Sequence, residues 1–158
     1  TSATKAARWP TRHTPVAPGD PRAVMSSPAS LPKEIQRSAE RGELQKVVKW
    51  LRKGGAVDAL GSFTDLDGQP KTTTLLKTAA ACDQLEMVRD LLKRGASVDL
   101  PTSLGGTALM AAADDGHLSI VLVLLQHSAN PNLQNIHGIT ALMNAAIGGH
   151  EACVQALL

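Results

Sequence analysis

A period of 33 residues constrains the fold of this chain more than any other feature of its sequence. Three threonines are spaced by this period, at Thr74, Thr107 and Thr140. A pair of leucines recurs at the same interval, at positions 91–92, 124–125 and 157–158. A fixed period of this length is typical of an array of similar units, each of which buries its apolar face against its neighbours. The sequence therefore predicts a stack of small repeated units.

The clearest copy of the repeat is GGTALMAAADDGHLSIVLVLL, residues 105–125. This copy resembles the ankyrin repeat, whose core reads G-x-T-P-L-H-x-A-A-x-x-G-H-x-x-I-V-x-x-L-L-x-x-G-A. The matching residues are Gly105, Thr107, Leu109, Ala112, Ala113, Gly116, His117, Ile120, Val121, Leu124, Leu125 and Ala129. The resemblance implies an all-α fold, an ankyrin-repeat α-solenoid of stacked helix-turn-helix units joined by β-turn fingers.

At least four repeats are predicted over residues 31–158, at about 31–58, 72–99, 105–132 and 138–158, the last of them incomplete. The distance from Gly54 to Gly95 is 41 residues, eight more than the period, and residues 59–71 form a long inserted finger. Insertions in repeat proteins map to loops, so we expect this one to lengthen a finger without disturbing the stack. Phe63 lies on it, and the sequence leaves open whether this side chain contacts a partner or folds back on the repeat.

Residues 1–30 are interpreted as an irregular proline-rich arm, extended or disordered, because they lack a helical or strand period and contain Asp20 as their sole acidic residue. Two alternatives remain: the remnant of an organelle presequence, or an arm that anchors on a partner through Trp9 beside Arg8 and Arg12. Ser30 is the predicted N-cap of the first helix.

The last repeat stops within its second helix. We therefore expect its final apolar side chains to form an uncovered face, since solenoids normally end in a polar cap. These residues are Ala145, Val154, Leu157 and Leu158. Such a face favours a chain that continues beyond it, or a partner that covers it.

No pattern of catalytic, cofactor-binding or metal-binding residues is found. His117 and His150 follow a glycine at equivalent positions, where the resemblance implies a hydrogen bond to backbone. Cys153 occupies a core position, and Cys82 has no neighbouring cation to make it a thiolate. Two cysteines without close spacing favour a reducing compartment, and no apolar run approaches the roughly 20 residues that span a bilayer.

Charge is distributed unevenly along the repeats. Residues 33–94 carry twelve basic and nine acidic side chains, whereas residues 95–158 carry four acidic and no basic ones. Such a gradient orients a partner more than it adds affinity. Binding of nucleic acid is not expected, because within the repeats the acidic side chains outnumber the basic ones by one, and aromatic residues for stacking are scarce.

The resemblance implies that partners are bound by the fingertips and the exposed side of each first helix. The predicted contact residues are Trp9, Glu40, Arg41, Phe63, Asp65, Asp67, Lys71, Thr73, Ala81, Cys82, Ser103, Leu104, Asp114, Asp115, Ile136, His137, Ile139 and Ile147. Ile136 and Ile139 flank a fingertip, where apolar side chains are typical of an interface. The alternative is that Ile136 packs on the preceding finger.

The sequence thus predicts a non-catalytic protein–protein interaction module or scaffold, without cofactor, metal or membrane-inserted segment. One alternative is a structural accessory subunit of a large assembly, whether in an organelle or elsewhere, with the N-terminal arm anchored on its neighbours. Another is the ankyrin segment of a longer enzyme. The expected location is the cytoplasm or nucleus, or else a plastid or mitochondrion after removal of a presequence.

Overall fold

Four pairs of short antiparallel helices follow one another in the computed structural model, which describes residues 30–158. The pairs are α1 (Lys33–Glu40) with α2 (Leu44–Arg52), α3 (Leu75–Ala81) with α4 (Leu85–Lys93), α5 (Ala108–Asp114) with α6 (Leu118–Gln126), and α7 (Ala141–Ile147) with α8 (Glu151–Leu157). The first helices of the pairs pack side by side in one layer, and α4, α6 and α8 pack in another. The predicted helical solenoid is confirmed. The predictions for Trp9 and the rest of the arm lie outside the described residues.

The repeated threonine starts the first helix of the second, third and fourth pairs. In each case the Thr side-chain oxygen accepts the backbone N–H of the residue three positions later, at 3.0 Å for Thr74 and 3.3 Å for Thr107 and Thr140. This bond satisfies one of the amide groups that the first turn of a helix leaves without a partner. The 33-residue spacing is therefore a spacing of helix caps.

Helix α1 begins differently, and the prediction that Ser30 caps it is wrong. The helix starts at Lys33 after Pro32, without a side-chain cap. Ser30 instead forms a parallel β bridge with Leu60, and the Leu31 N–H donates to the Leu60 carbonyl at 2.9 Å. The chain thus enters the first repeat along a strand of the inserted finger.

The turn inside each helix pair has one residue in the left-handed region, at Gly42, Asp83, Gly116 and Gly149. Only Asp83 has a side chain there, with φ of 56°. In the third and fourth pairs a histidine follows this position and bonds to the preceding repeat. His117 Nε2 donates to the Ala81 carbonyl at 3.1 Å, and His150 Nε2 donates to the Asp114 carbonyl at 2.8 Å. Both histidines therefore have the structural role that the sequence predicts.

Small side chains let the first helices approach closely. Ala79, Ala112 and Ala145 occupy the same position in successive first helices, and each is fully buried. The prediction that Ala145 belongs to an uncovered face is therefore wrong, because this residue packs in the layer that α7 forms with α5. Cys153 is buried as predicted, whereas Leu158 is 88% exposed.

The inserted finger is an antiparallel hairpin of β1 (Leu60–Thr64) and β2 (Pro70–Thr74). At its tip the Asp65 N–H donates to the Gln69 carbonyl, as Asn135 does to Ile139 in the fourth repeat. Asp65 lies nine residues before the capping threonine Thr74, whereas Asn135 lies five residues before Thr140. The insertion has therefore lengthened each arm of a finger by four residues while keeping its tip, and the stack is undisturbed.

Candidate functional site

A groove of about 420 Å³ lies between α1, the hairpin and α3, on the face of the solenoid formed by the first helices. We call it the hairpin groove, and its lining residues are Gln36, Glu40, Phe63, Thr73, Lys77, Thr78, Ala81 and Cys82. Apolar and polar side chains are mixed in it. Protein-binding surfaces also combine an apolar centre with polar groups.

Phe63 forms the outer wall of the hairpin groove. It shares a face of the hairpin with Gly61, because side chains alternate along a strand. A Cβ on Gly61 would lie only 2.5 Å from Gln36 Oε1, so the missing side chain lets the hairpin lie against α1. Phe63, two residues further out, is 42% exposed. The Phe63 side chain is therefore neither fully buried nor fully exposed, and it lines the groove.

A second groove, of about 280 Å³, adjoins the first on the same face and is called the central groove here. Its lining residues are Lys77, Ala81, Leu104, Gly106, Met110, Ala111, Asp114, Asp115, Asn135 and Asn144. It is bounded by α5 and by the fingers of the third and fourth repeats. The two grooves together make a continuous surface across four repeats.

Lys77 belongs to both grooves. Its Nζ lies beside Gly106, 3.5 Å from where a Cβ of that residue would stand. Burial lowers the pKa of Lys77 below its ordinary value of 10.5. Among residues 30–158, no carboxylate lies within 4 Å of its amine. A partly desolvated cation without a nearby acid is a favourable contact for a carboxylate of a partner.

The fourth repeat continues this face with apolar side chains. Met143 and Ile147 lie one turn apart on α7 and are 44% and 77% exposed. They are equivalent to Met110 and Asp114 of the third repeat, by the 33-residue period. Along the face, the charged residues at the end of α1, Glu40 and Arg41, are followed by the acidic pair Asp114 and Asp115 and then by this apolar end.

At the hairpin tip, Asp65 has a structural role. Its Oδ1 accepts the backbone N–H of Gln69 at 2.7 Å and of Asp67 at 3.1 Å, and Lys71 Nζ lies 3.5 Å from Oδ2. The Gln69 N–H, followed by Lys71, holds the pKa of Asp65 below its ordinary value. Of the three charged residues predicted here, Asp67 alone has no such contact with its side chain among the described residues.

Adjacent fingers are joined to each other. The Thr72 N–H donates to Ser103 Oγ at 2.9 Å, and the Ser103 N–H donates to Thr72 Oγ1 at 2.9 Å. In the next pair of fingers the Ile136 N–H donates to the Leu104 carbonyl at 3.0 Å. Ser103 therefore holds the fingers in register, while Leu104 is half-buried in the wall of the central groove.

The fourth fingertip presents an apolar side chain to solvent. Asn135 Oδ1 accepts the backbone N–H groups of His137 and Ile139, which fixes the turn. Ile136 is 62% exposed although its backbone is bonded to the preceding finger. His137 is also exposed, and Ile139 is half-buried. Ile136 therefore contacts the preceding finger through its backbone, while most of its surface is exposed.

Two predicted contact residues shape the hairpin groove without offering a free polar group. Thr73 is buried, and its hydroxyl is bonded to that of Thr78 at 3.2 Å. Cys82 is half-buried beside Ala81, and burial, aided by Glu40 and Asp115, raises the pKa of its thiol. The neutral thiol is thus favoured, which argues against a reactive cysteine.

Sequence reasoning missed three residues of this face: Lys77, which lines both grooves, Met110, which lines the central groove, and Met143, which is exposed on α7. Each precedes a predicted contact residue of the same helix by four positions, at Ala81, Asp114 and Ile147. Residues with this spacing lie on one helix face. That periodicity was the signal that could have found them.

Residues 30–158 contain no cluster of three or more His, Cys, Asp or Glu side chains that could hold a metal ion. Over the same residues, no helix is both long enough and apolar enough to cross a membrane.

Comparison with known proteins agrees with the geometry of the repeats. A family model described as ankyrin repeats (3 copies) matches residues 35–135 and 76–158. No curated protein sequence matches the chain significantly. The two matched ranges together cover most of the chain, and they contain the helix pairs, the caps and both grooves. The chain belongs to the ankyrin-repeat family.

Proposed function

We propose that this chain is a non-catalytic module that binds a protein partner along the face of its first helices. Ankyrin repeats generally mediate protein–protein interaction. The observation that carries the proposal is the pair of adjoining grooves that share Lys77. The exposed Phe63 lines the hairpin groove at one end, and the exposed Met143 lies on α7 in the last repeat. Large apolar side chains inside a polar surface are where binding energy concentrates at protein interfaces.

The contacts between repeats support this proposal because they keep the surface rigid. The Thr72–Ser103 pair joins two fingers, and His117 and His150 join successive helix pairs. A surface that is already ordered loses less conformational entropy on binding than a mobile one. The partner is therefore expected to bind without rearrangement of the stack.

The charges of the face support one orientation of the partner. A carboxylate of the partner is favoured at Lys77, and basic groups are favoured next to Asp114 and Asp115, which are both exposed. Acidic and basic groups of the partner would then be separated along the groove. Such complementarity affects the association rate and the choice of partner.

A reducing intracellular compartment is part of the proposal. Both cysteines of the chain, Cys82 and Cys153, are free thiols. Free thiols persist where disulfides are not formed, which supports this location.

Site-specific photo-crosslinking in the native source tests the proposed function. A photoreactive residue replaces Ala81, on the floor where the two grooves meet, and in a control replaces Ser119, which is exposed on the second helix α6. We expect the Ala81 position to give a discrete adduct that mass spectrometry identifies, at a yield that the control does not reach. Equal labelling from both positions, or adducts from Ser119 alone, would contradict the proposal.

A further inference from the structure

Within residues 30–158, the outer edge of strand β1 is paired with another segment only at its base, near Leu60. The Leu31 N–H donates to the Leu60 carbonyl, so that Ser30 and Leu31 add to the hairpin as a short third strand. After Pro32 the chain leaves this edge and enters α1. The remainder of β1, from Gly61 to Thr64, continues beyond the point where the added strand ends.

The register shows which backbone groups face outwards. In an antiparallel pair, residues alternate between pairs bonded to each other and pairs whose N–H and C=O groups point away. Leu60 and Thr74 form one pair, and the Leu60 carbonyl accepts a bond from Leu31 outside the hairpin. Ser62 and Thr72 form another, and the Thr72 N–H donates to Ser103 outside the hairpin. The backbone groups of Ser62, and by the same alternation those of Thr64, therefore point away from the hairpin.

The outer edge of β2 is occupied in a way that β1 is not. Thr72 is bonded to Ser103, and Pro70, which occupies the outward position next to the tip of β2, has no N–H. Among residues 30–158, the outward backbone groups of Ser62 and Thr64 have no hydrogen-bond partner of this kind, and both residues are exposed. An open strand edge is a template for the backbone of another chain.

The groove beside this edge carries basic side chains. Its volume is about 210 Å³, and it is lined by Lys33, Gln36, Arg37, Glu40, Ser62 and Phe63. Lys33 and Arg37 stand one helical turn apart on the same face of α1. Within residues 30–158 neither has a carboxylate within 4 Å. The charge next to the open edge therefore suits an acidic segment.

We infer that the β1 edge binds an extended acidic segment of the partner, which adds to the hairpin as a strand and directs carboxylates towards Lys33 and Arg37. In this mode, backbone bonds give affinity and alternate side chains give specificity. The inference rests on the proposed function, because the strand along β1 would belong to the same partner that occupies the hairpin groove. Phe63 lies between the two sites and lines both grooves. It also gives the eight-residue insertion a use, since the lengthened arms create the edge.

The test uses the full chain and a seven-residue acetylated peptide amide that alternates valine and glutamate. Two analogues serve as controls. The first has glutamine in place of each glutamate, and the second has N-methyl groups on the backbone amides of one edge. We expect the acidic peptide to protect the Ser62 and Thr64 amides from hydrogen exchange, measured by NMR. The N-methylated analogue should bind at least about tenfold more weakly, since an N-methylated amide cannot donate.

Ser62→Pro removes the outward N–H of residue 62 and involves neither of the inward pairs, Gly61–Thr73 and Phe63–Lys71. We expect it to weaken binding of the acidic peptide at least about tenfold, whereas the control Ser62→Thr binds like the wild type. Cross-strand NOEs between Gly61 and Thr73 verify that the hairpin is retained. A second variant that keeps β1 unchanged, Lys33→Gln with Arg37→Gln, should abolish the preference for glutamate over glutamine.

Three results would overturn the inference: unprotected Ser62 and Thr64 amides at about millimolar peptide, equal binding of the N-methylated analogue, or an unchanged preference for glutamate in the Lys33 and Arg37 variant. The proposed function is tested separately by crosslinking from Ala81. Strand addition alone fails if that crosslink persists while the peptide results are negative. The proposed function fails if the crosslink itself is absent.

Discussion

Replacement of the capping Thr107 by valine is expected to destabilise the protein far more than the same change at Thr140. Both side-chain oxygens accept a backbone N–H at 3.3 Å. Their surroundings differ, because the donor residue is Met110, 4% exposed, in one case and Met143, 44% exposed, in the other. Valine keeps the volume of threonine but cannot accept the bond.

The magnitudes follow from what replaces the lost bond. Loss of a helix cap costs about 0.5 to 2 kcal/mol, and a buried amide left without a partner costs about 1 to 3 kcal/mol. For Thr107→Val we therefore expect a loss of about 2 kcal/mol in the free energy of unfolding. For Thr140→Val water replaces the bond at the exposed amide, and we expect about 0.5 kcal/mol.

The assay combines urea unfolding, followed by circular dichroism, with native-state hydrogen exchange in each repeat. Exchange is needed because the terminal repeat of a solenoid opens separately from the interior ones. Thr107→Ser, which keeps the hydroxyl, serves as the control and should lose less stability than Thr107→Val. Equal losses at Thr107 and Thr140, or a valine variant as stable as the wild type, would refute the reasoning.

Three further predictions concern single side chains. Gly116→Ala should cost about 2 to 3 kcal/mol in urea unfolding, because its Cβ would meet the His150 ring and φ is positive; Gly138→Ala, with a similar φ but open space, should cost about 1 kcal/mol. Asp65→Asn should keep the hairpin tip protected from hydrogen exchange, as the asparagine of the fourth finger does, whereas Asp65→Ala should expose it. Lys77→Met should raise the free energy of unfolding by about 0.5 to 1 kcal/mol at pH 7, because methionine fills this half-buried position without the cost of desolvating a charge.

Two of these changes also predict a pH dependence. The lowered pKa of Asp65 stabilises the tip above its unfolded pKa, so protection is lost as the pH falls through the lower folded value, and this loss is absent in the asparagine variant. Burial lowers the pKa of Lys77, so the charged amine opposes folding at neutral pH. As the pH rises through the pKa of Lys77 in the folded protein, the stability difference between the methionine variant and the wild type therefore becomes smaller. Hydrogen exchange of the wild type and the Asp65→Asn variant, and urea unfolding of the wild type and the Lys77→Met variant, are measured at several pH values. A difference between wild type and variant that does not change with pH would contradict the prediction.

The sequence predicted the stack because its period records local events. The capping threonines Thr74, Thr107 and Thr140, the turn glycines of three of the four pairs and the small alanines of the first-helix layer act within one repeat or on its neighbour, and so they follow the 33-residue period. Position in the period also identified His117, His150 and Cys153 correctly. Such features need no knowledge of distant parts of the chain.

The rest could not be predicted because it depends on non-repeating contacts. Ser30 has the composition of a helix cap, but the Leu60 carbonyl offers its strand a partner that a local pattern does not reveal. Asp83 takes a left-handed conformation where the other turns have glycine. The exposure of Phe63 depends on the approach of the hairpin to α1, which the absence of a side chain at Gly61 permits.

The grooves were only partly foreseen. The predicted contact residues Glu40, Ala81, Cys82, Asp114 and Asp115 do line them. Asp65 and Ser103, by contrast, are engaged in holding the fingers. Burial and hydrogen bonding of this kind follow from how adjacent fingers meet, which the composition of a single finger does not record.

The most direct test of the central claim is the affinity of the partner identified by crosslinking for three alanine variants. Phe63 and Met143 stand at the two ends of the proposed binding face, and Leu122, 44% exposed on the second helix α6, is a control of matched exposure. We expect Phe63→Ala and Met143→Ala each to raise the dissociation constant about tenfold or more, and Leu122→Ala to leave it unchanged. Weakening by Leu122→Ala alone would contradict the account.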